Sequence, residues 1–210
     1  MVDQRRLNPY RTEFFEKRFN RHVNMVLFLI MFSSLAFTQS NNSPGGPMLV
    51  DFSNPKECQS WIPIHDTVMG GRSRGNMIFR DGFSVFSGNL SLENNGGFSS
   101  VRRAATISKD FGQIQIRVMG DGRLYQFRIR TSQTIDGVSY STSFQTKAGI
   151  WQIFSFEETQ FEPTYRGRRV PNAPPLDFKE IKQIGFLIAD KKPGSFEIIL
   201  SWISILERSK

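Results

Sequence analysis

Between Ile114 and Phe144 the side chains alternate between apolar and polar with a period of two. Ile114, Ile116 and Val118 are interleaved with Gln115 and Arg117, and Tyr125, Phe127 and Ile129 with Gln126, Arg128 and Arg130. Val138, Tyr140, Thr142 and Phe144 are interleaved with three serines. This period places successive side chains on opposite faces of a strand, so each run predicts a strand with one face on a core and one in water. Turn signals fall between the runs: Arg80-Asp81-Gly82, Gly120-Asp121-Gly122 and Asp136-Gly137. Further strands are expected near residues 84–92, 97–107, 150–157, 183–190 and 195–206. About ten short strands without a sustained helical period predict an all-β fold, an antiparallel β-sandwich or jelly roll. Helix is confined to one or two short pieces. Asn54-Pro55 opens one that runs to about Ser60, and Asp177 caps a single turn before Ile181.

The 20 Phe, against 4 Tyr and 3 Trp, predict an aromatic core. The net charge of +8 is partly local, because residues 1–24 hold six of the 27 basic and three of the 19 acidic residues. The remainder carries about +5 with the two signs interspersed, which lacks the dense basic face of a nucleic-acid binder, and none is expected as a partner. A single cysteine, Cys58, excludes an internal disulfide and a cysteine-based zinc site.

Val26 to Phe37 is a largely apolar, uncharged run, shorter than a bilayer span and suited to the core of a signal peptide. Basic residues precede it, and Ser34 and Ala36 suit cleavage after Ala36. Residues 1–36 are therefore expected to be a signal peptide or membrane anchor, 37–47 a linker, and 48–207 the folded domain. The expected location is exported, periplasmic or membrane-tethered, with membrane contact only through the N-terminal segment. The amphipathic spacing of Phe14, Phe15, Phe19 and Val23 leaves an organelle transit segment as the alternative, against which Glu13 and Glu16 argue. Met25 is an alternative start.

Several strings go beyond a generic strand pattern. They are Trp61 with Asp66-Thr67-Val68-Met69-Gly70-Gly71-Arg72-Ser73, then Gly88-Asn89-Leu90-Ser91-Leu92 leading into Gly96-Gly97-Phe98-Ser99-Ser100-Val101-Arg102. Gly120-Asp121-Gly122-Arg123-Leu124-Tyr125, Trp151-Gln152, Phe161-Glu162-Pro163-Thr164-Tyr165-Arg166-Gly167 and Ile184-Gly185-Phe186 follow, with Lys192-Pro193-Gly194-Ser195-Phe196 near the end. In this order, over roughly residues 49–206, the chain resembles the complex I intermediate-associated protein 30 family. The resemblance implies a galactose-binding-like β-sandwich and, for the mitochondrial members, a chaperone-like role in assembling respiratory complex I. An export signal would depart from that pattern, since a secreted relative could not meet matrix-side subunits.

The loop from Asp66 to Ser73 has two readings, a structural connection or a rim loop on which Asp66 and Arg72 face a ligand. In the first, Gly70-Gly71 supply positive φ, Met69 plugs the core edge, and Asp66 caps a turn or pairs with an Arg. Gly120 to Arg123 reads as a β-turn, not a dinucleotide fingerprint, because a strand follows it and a third glycine is missing. Asp121 and Arg123 remain binding candidates, and Asp66 or Asp121 would serve a rim calcium, although no cofactor or metal is expected.

Candidates for chemistry are few. A Cys58–His65 dyad would need the short helix to bring the pair together, and no spacing singles out two acids among Asp66, Asp121, Glu157, Glu158 and Asp190. The polar face of the central strands, with Gln115 and Arg117 on one strand and Gln126, Arg128 and Arg130 on its expected hairpin neighbour, reads either as solvated or as a carboxylate-binding surface. Arg102, of the tight basic pair Arg102-Arg103, is a further binding candidate. Trp151 and Tyr165 could stack a sugar ring, with burial of Trp151 in the core as the favoured reading, and Arg166 to Arg169 reads as a surface loop with a basic tip for a protein or anionic contact. The expected function is a non-catalytic binding module with a protein partner, acting as an assembly or chaperone-like factor for a membrane or envelope complex. A carbohydrate-binding module is the alternative, and a carboxylate hydrolase ranks below both.

Overall fold

The period-two runs form strands as expected, but Gln113–Gly120 is not the hairpin partner of Leu124–Arg130: the Gly120–Arg123 turn carries the chain from one sheet to the other, so Gln115 and Arg117 stand apart from Gln126, Arg128 and Arg130. The computed structural model describes residues 43–107, 110–131 and 137–208. The apolar run, the start of the linker and the Asp136 half of one turn lie outside the described residues. The strands in chain order are β1 (Met48–Asp51), β2 (Ile62–His65), β3 (Arg74–Arg80), β4 (Phe83–Leu90), β5 (Ser99–Ala104) and β6 (Gln113–Gly120). Then come β7 (Leu124–Arg130), β8 (Ser139–Gln145), β9 (Trp151–Phe156), β10 (Glu162–Tyr165), β11 (Arg168–Arg169), β12 (Gln183–Ile188) and β13 (Gly194–Leu206).

Two antiparallel sheets form the sandwich. One runs β3-β4-β13-β6-β9, with β1 also on β13; the other runs β11-β10-β8-β7-β12-β5-β2. The 13-residue β13 is the spine of the first sheet. Its first half pairs with β4 and its second with β6, and a register shift between Leu200 and Trp202 marks a bulge. The two-residue turn between β3 and β4 puts Asp81 at φ 53 and Gly82 at φ 82, the left-handed pair a tight hairpin demands.

Inward positions of both sheets meet in the phenylalanine-rich core. Phe127 of β7 stacks on Phe156 of β9 across the sandwich with ring centroids 5.9 Å apart, and touches Phe186 of β12 at 5.4 Å. Phe52 and Trp61 close one end, their rings 5.5 Å apart.

Among the described residues the short helical pieces are all 3₁₀ turns. Asn54 Oδ1 accepts the Lys56 amide and a turn follows over Glu57–Ser60, while Asp177 caps Phe178–Glu180 through the Lys179 amide. Three details differ from expectation. Arg166 and Gly167 form the tight turn of a β10–β11 hairpin, so Arg168 and Arg169 are strand residues. Met69 is exposed and plugs no core edge. β1, β2, β3 and β10 had no clean alternation to announce them; Pro63 and Pro163 interrupt two of them, as suits strands near sheet edges.

Candidate functional site

The outward face of the seven-stranded sheet carries several of the charged strand residues. Directly opposed residues share a face, so the strand registers define a row across it: Ile62, Arg102, Gly185, Arg128, Ser141 and Glu162. A second row holds Leu187 with Gln126 and Ser143, and a third pairs Gln183 with Arg130. The opposite faces of β5, β12 and β7 supply Val101, Phe186 and Phe127 to the core.

Arg128 sits at the centre of this face. Its Nη2 donates to Thr164 Oγ1 at 3.0 Å, and that hydroxyl donates to the Ser139 carbonyl at 3.0 Å, so β10 and β8 hold the guanidinium in place. Burial pushes its pKa down to about 10, with the charges of Arg130 and Arg102 adding to the fall. Arg130 donates to the Gly137 carbonyl. Of the predicted binding residues, the fold brings Arg102, Gln126 and Arg128 together here.

The others are dispersed. Asp66 is fully buried: its carboxylate accepts the amides of Ser73 (2.9 Å), Gly97 (2.6 Å) and Phe98 (3.3 Å) and the Ser73 hydroxyl. Burial pushes this carboxyl up, but the Ser73 hydroxyl and the three amides together outweigh it and hold it below the usual range. Asp66 thus pins its loop to the Gly96-Gly97 segment instead of facing a ligand. A Cβ on Gly71 would lie 2.4 Å from Asp66 Cγ, which explains the second glycine by close approach. Arg72 points to solvent and pairs with Glu93 at 2.9 Å.

Asp121 accepts the Arg123 and Glu197 amides and the Tyr125 hydroxyl, and Arg123 grips Asp190, so both hold turns together. Trp151 lies on the outward side of the other sheet, under the Arg117 guanidinium at 4.1 Å and against Phe83 at 5.2 Å. Tyr165 ends β10 with its ring under Arg166 at 5.3 Å.

The short helix does not bring Cys58 and His65 together as a dyad. Cys58 Sγ contacts the Pro55 carbonyl, whereas His65 Nδ1 pairs with Ser99 Oγ at 3.0 Å. Ser99 is fully buried, which walls this hydroxyl off from any substrate. Among the described residues no group of three or more His, Cys, Asp or Glu side chains is placed to hold a metal. Two shallow depressions, of about 440 and 290 Å³, are lined by Asp110, Glu158, Lys179 and Arg208 and by Leu49, Arg103 and Thr106; of the candidate acids Glu158 alone lines either, and no predicted binding residue does.

The family profile of complex I intermediate-associated protein 30 matches residues 50–200, across both sheets. The chain belongs to the complex I intermediate-associated protein 30 family. An uncharacterised protein of Schizosaccharomyces pombe is 29% identical over 187 residues, covering 77% of this chain and 85% of that protein. The mitochondrial complex I intermediate-associated protein 30 of Mus musculus is 26% identical over 179 residues, covering 73% of this chain and 54% of its own length. The chain thus spans about half of that curated relative. Among solved structures, a family 11 carbohydrate-binding module of a Clostridium thermocellum cellulase superposes with TM-score 0.58 at 15% identity, over 80% of this chain and 98% of that one. At that identity the likeness establishes the shared sandwich fold alone.

These family members correct the expected location. Relatives from Mus musculus and Caenorhabditis elegans are named as mitochondrial, which contradicts the exported or periplasmic placement drawn from the apolar run. Hydropathy alone misled there, because a short apolar stretch behind basic residues suits more than one kind of leader. Among the described residues no helix is long and apolar enough to cross a membrane.

Sequence reasoning overlooked Thr164, Ser139 and Gln183, which frame Arg128. A signal for Gln183 was present: Ile184, Phe186 and Ile188 alternate with Gln183, Gly185 and Leu187. Thr164 carried none, since nothing local marks the strand that lies two away from β7.

Proposed function

We propose that this chain is a non-catalytic assembly factor for respiratory complex I in the mitochondrion, holding a protein partner through the outward face of its seven-stranded sheet. The observation that carries the reading is that face itself, with Arg128 and Arg130 on β7 and Arg102 on β5, one strand apart across β12, in a domain shared with relatives named for complex I intermediates. Fixed cations on a rigid sheet suit recognition, and among the described residues no acid, base and nucleophile converge beside them.

The carbohydrate-binding alternative draws on the solved neighbours, one of them in complex with a mixed-linked tetrasaccharide. The strand residues of this face present no aromatic ring for a sugar to stack on, which favours the protein partner.

The experiment is affinity capture of tagged full-length chain from solubilised mitochondria, with complex I intermediates resolved on native gels in cells with and without the gene. Co-migration with a subassembly, and loss of mature complex I without the gene, are expected. Unchanged complex I in its absence would remove the reading, and retention on mixed-linked glucan would favour the carbohydrate one.

A further inference from the structure

Among the described residues four buried side-chain atoms have no hydrogen-bond partner: Arg128 Nε, Ser139 Oγ, Gln183 Oε1 and Ser204 Oγ. The first three stand on the outward face of one sheet. Gln183 on β12 and Ser139 on β8 belong to the two strands flanking β7, each one diagonal step from Arg128. Unsatisfied buried polar atoms are rare in folded proteins because each forfeits its bond to water, so three in one cluster call for a physical account.

Charge adds to it. None of the ion pairs among the described residues includes Arg128, and Arg102 and Arg130 bear on it with like charge. Glu162, the acid in its own cross-strand row, stands two strands away, roughly 10 Å at ordinary strand spacing. A half-buried guanidinium costs free energy until an anion answers it. Gly185 lies between Arg102 and Arg128 in the row, where a Cβ would crowd the Val101 carbonyl at 2.8 Å and Arg102 Cβ at 3.2 Å, so the backbone there carries no side chain. The glycine leaves bare backbone between two cationic side chains, where a ligand can approach closely.

We propose that Arg128, Gln183 and Ser139 form a recognition site for a carboxylate-bearing peptide segment of the partner protein, laid over Gly185 between Arg102 and Arg128. The inference rests on the reading that the chain binds a protein. A carboxylate matches the flat edge of the guanidinium and supplies the anion. Gln183 Oε1 accepts and therefore needs a donor, which a peptide N–H provides and a phosphate group at neutral pH does not. A neutral sugar offers donors but leaves the cation unanswered.

The test is selection of a random twelve-residue peptide library against the folded full-length chain, followed by binding of the selected peptides to variants. The expected result is a shared Asp or Glu at one position. Replacing it with Asn or Gln, or introducing Arg128→Met, weakens binding at least tenfold, while Arg72→Met changes it less than twofold. Arg128→Met removes an unanswered buried charge and keeps similar volume, so its urea midpoint stays level or rises. Peptides without a common acid, equal binding to Arg128→Met, equal loss with Arg72→Met, or unfolding of Arg128→Met would each overturn the site. Its failure is separable from that of the assembly role. Intermediates captured equally by Arg128→Met would sink the site alone, whereas acidic peptides bound by a chain that captures no intermediate would sink the assembly role alone.

Discussion

Arg123 holds Asp190 along one guanidinium edge, Nη2 to Oδ1 at 2.6 Å and Nε to Oδ2 at 2.9 Å. The same side chain donates to the carbonyls of Lys192, Gly194 and Ser195, so one residue at the start of β7 ties down the whole β12–β13 connection. The salt-bridged Asp190 carboxylate is almost wholly buried. Removing one partner of such a pair strands a charge, and Arg123→Ala is expected to cost about 3–5 kcal/mol. Arg123→Lys should recover little, because an ammonium cannot reproduce the flat two-point contact. Urea unfolding of both variants checks this, and a loss below about 1 kcal/mol would show that the connection is held by other contacts.

Asp66 is the second anchor. Asp66→Ala leaves the amides of Ser73, Gly97 and Phe98 without an acceptor, and the expected loss is about 3 kcal/mol by equilibrium unfolding. The exposed Arg72–Glu93 pair beside it should contribute less than about 1 kcal/mol, so Arg72→Ala is the contrasting measurement. Comparable losses for the two would refute the structural role given to Asp66.

Stability should fall with acid in two stages. Burial, helped by Arg74, lowers the His65 pKa below its ordinary 6.5, against the opposing pull of Asp66 and a Gly75 hydrogen bond. The unfolded chain therefore takes up that proton first, and stability declines as pH drops below about 6.5. Asp66 and Asp190 are also depressed below 3.8, so their contribution is complete above that value and is lost as pH falls through their folded-state values. Urea midpoints at pH 7, 5 and 3 report both stages. Asp66→Asn should flatten the lower one, and an unchanged slope there would contradict the assignment.

Phe127 joins the two sheets, meeting Phe156 and Phe161 on one side and Phe186 on the other. It is fully buried, so Phe127→Ala opens a cavity in the middle of the sandwich and should cost about 3–5 kcal/mol. Phe127→Leu, which keeps most of the volume, should lose less than half of that in thermal unfolding. Similar losses for both would mean the ring contacts matter more than the volume.

The strand alternation and turn residues were enough to place β4 to β9, β12 and β13 and to name the sandwich, because period two depends only on neighbours along the chain. The same local rule identified Gln126, Arg128 and Arg130 as one polar face. It could not say what stands opposite them. Gln183, Ser139 and Thr164 reach Arg128 through pairing of β12, β8 and β10, whose sequence separations from β7 no local pattern encodes.

Asp66 shows the converse. An acid in a glycine-rich loop looks available to a ligand, yet amides from residue 73 and from residues 97 and 98 converge on it and bury it. The chain alone determined which side of each strand meets the core. Tertiary pairing decided which charges are answered from within, as with Asp66 and Arg123, and which, as with Arg128, are left facing outward, because only distant segments brought alongside can supply or withhold the partner.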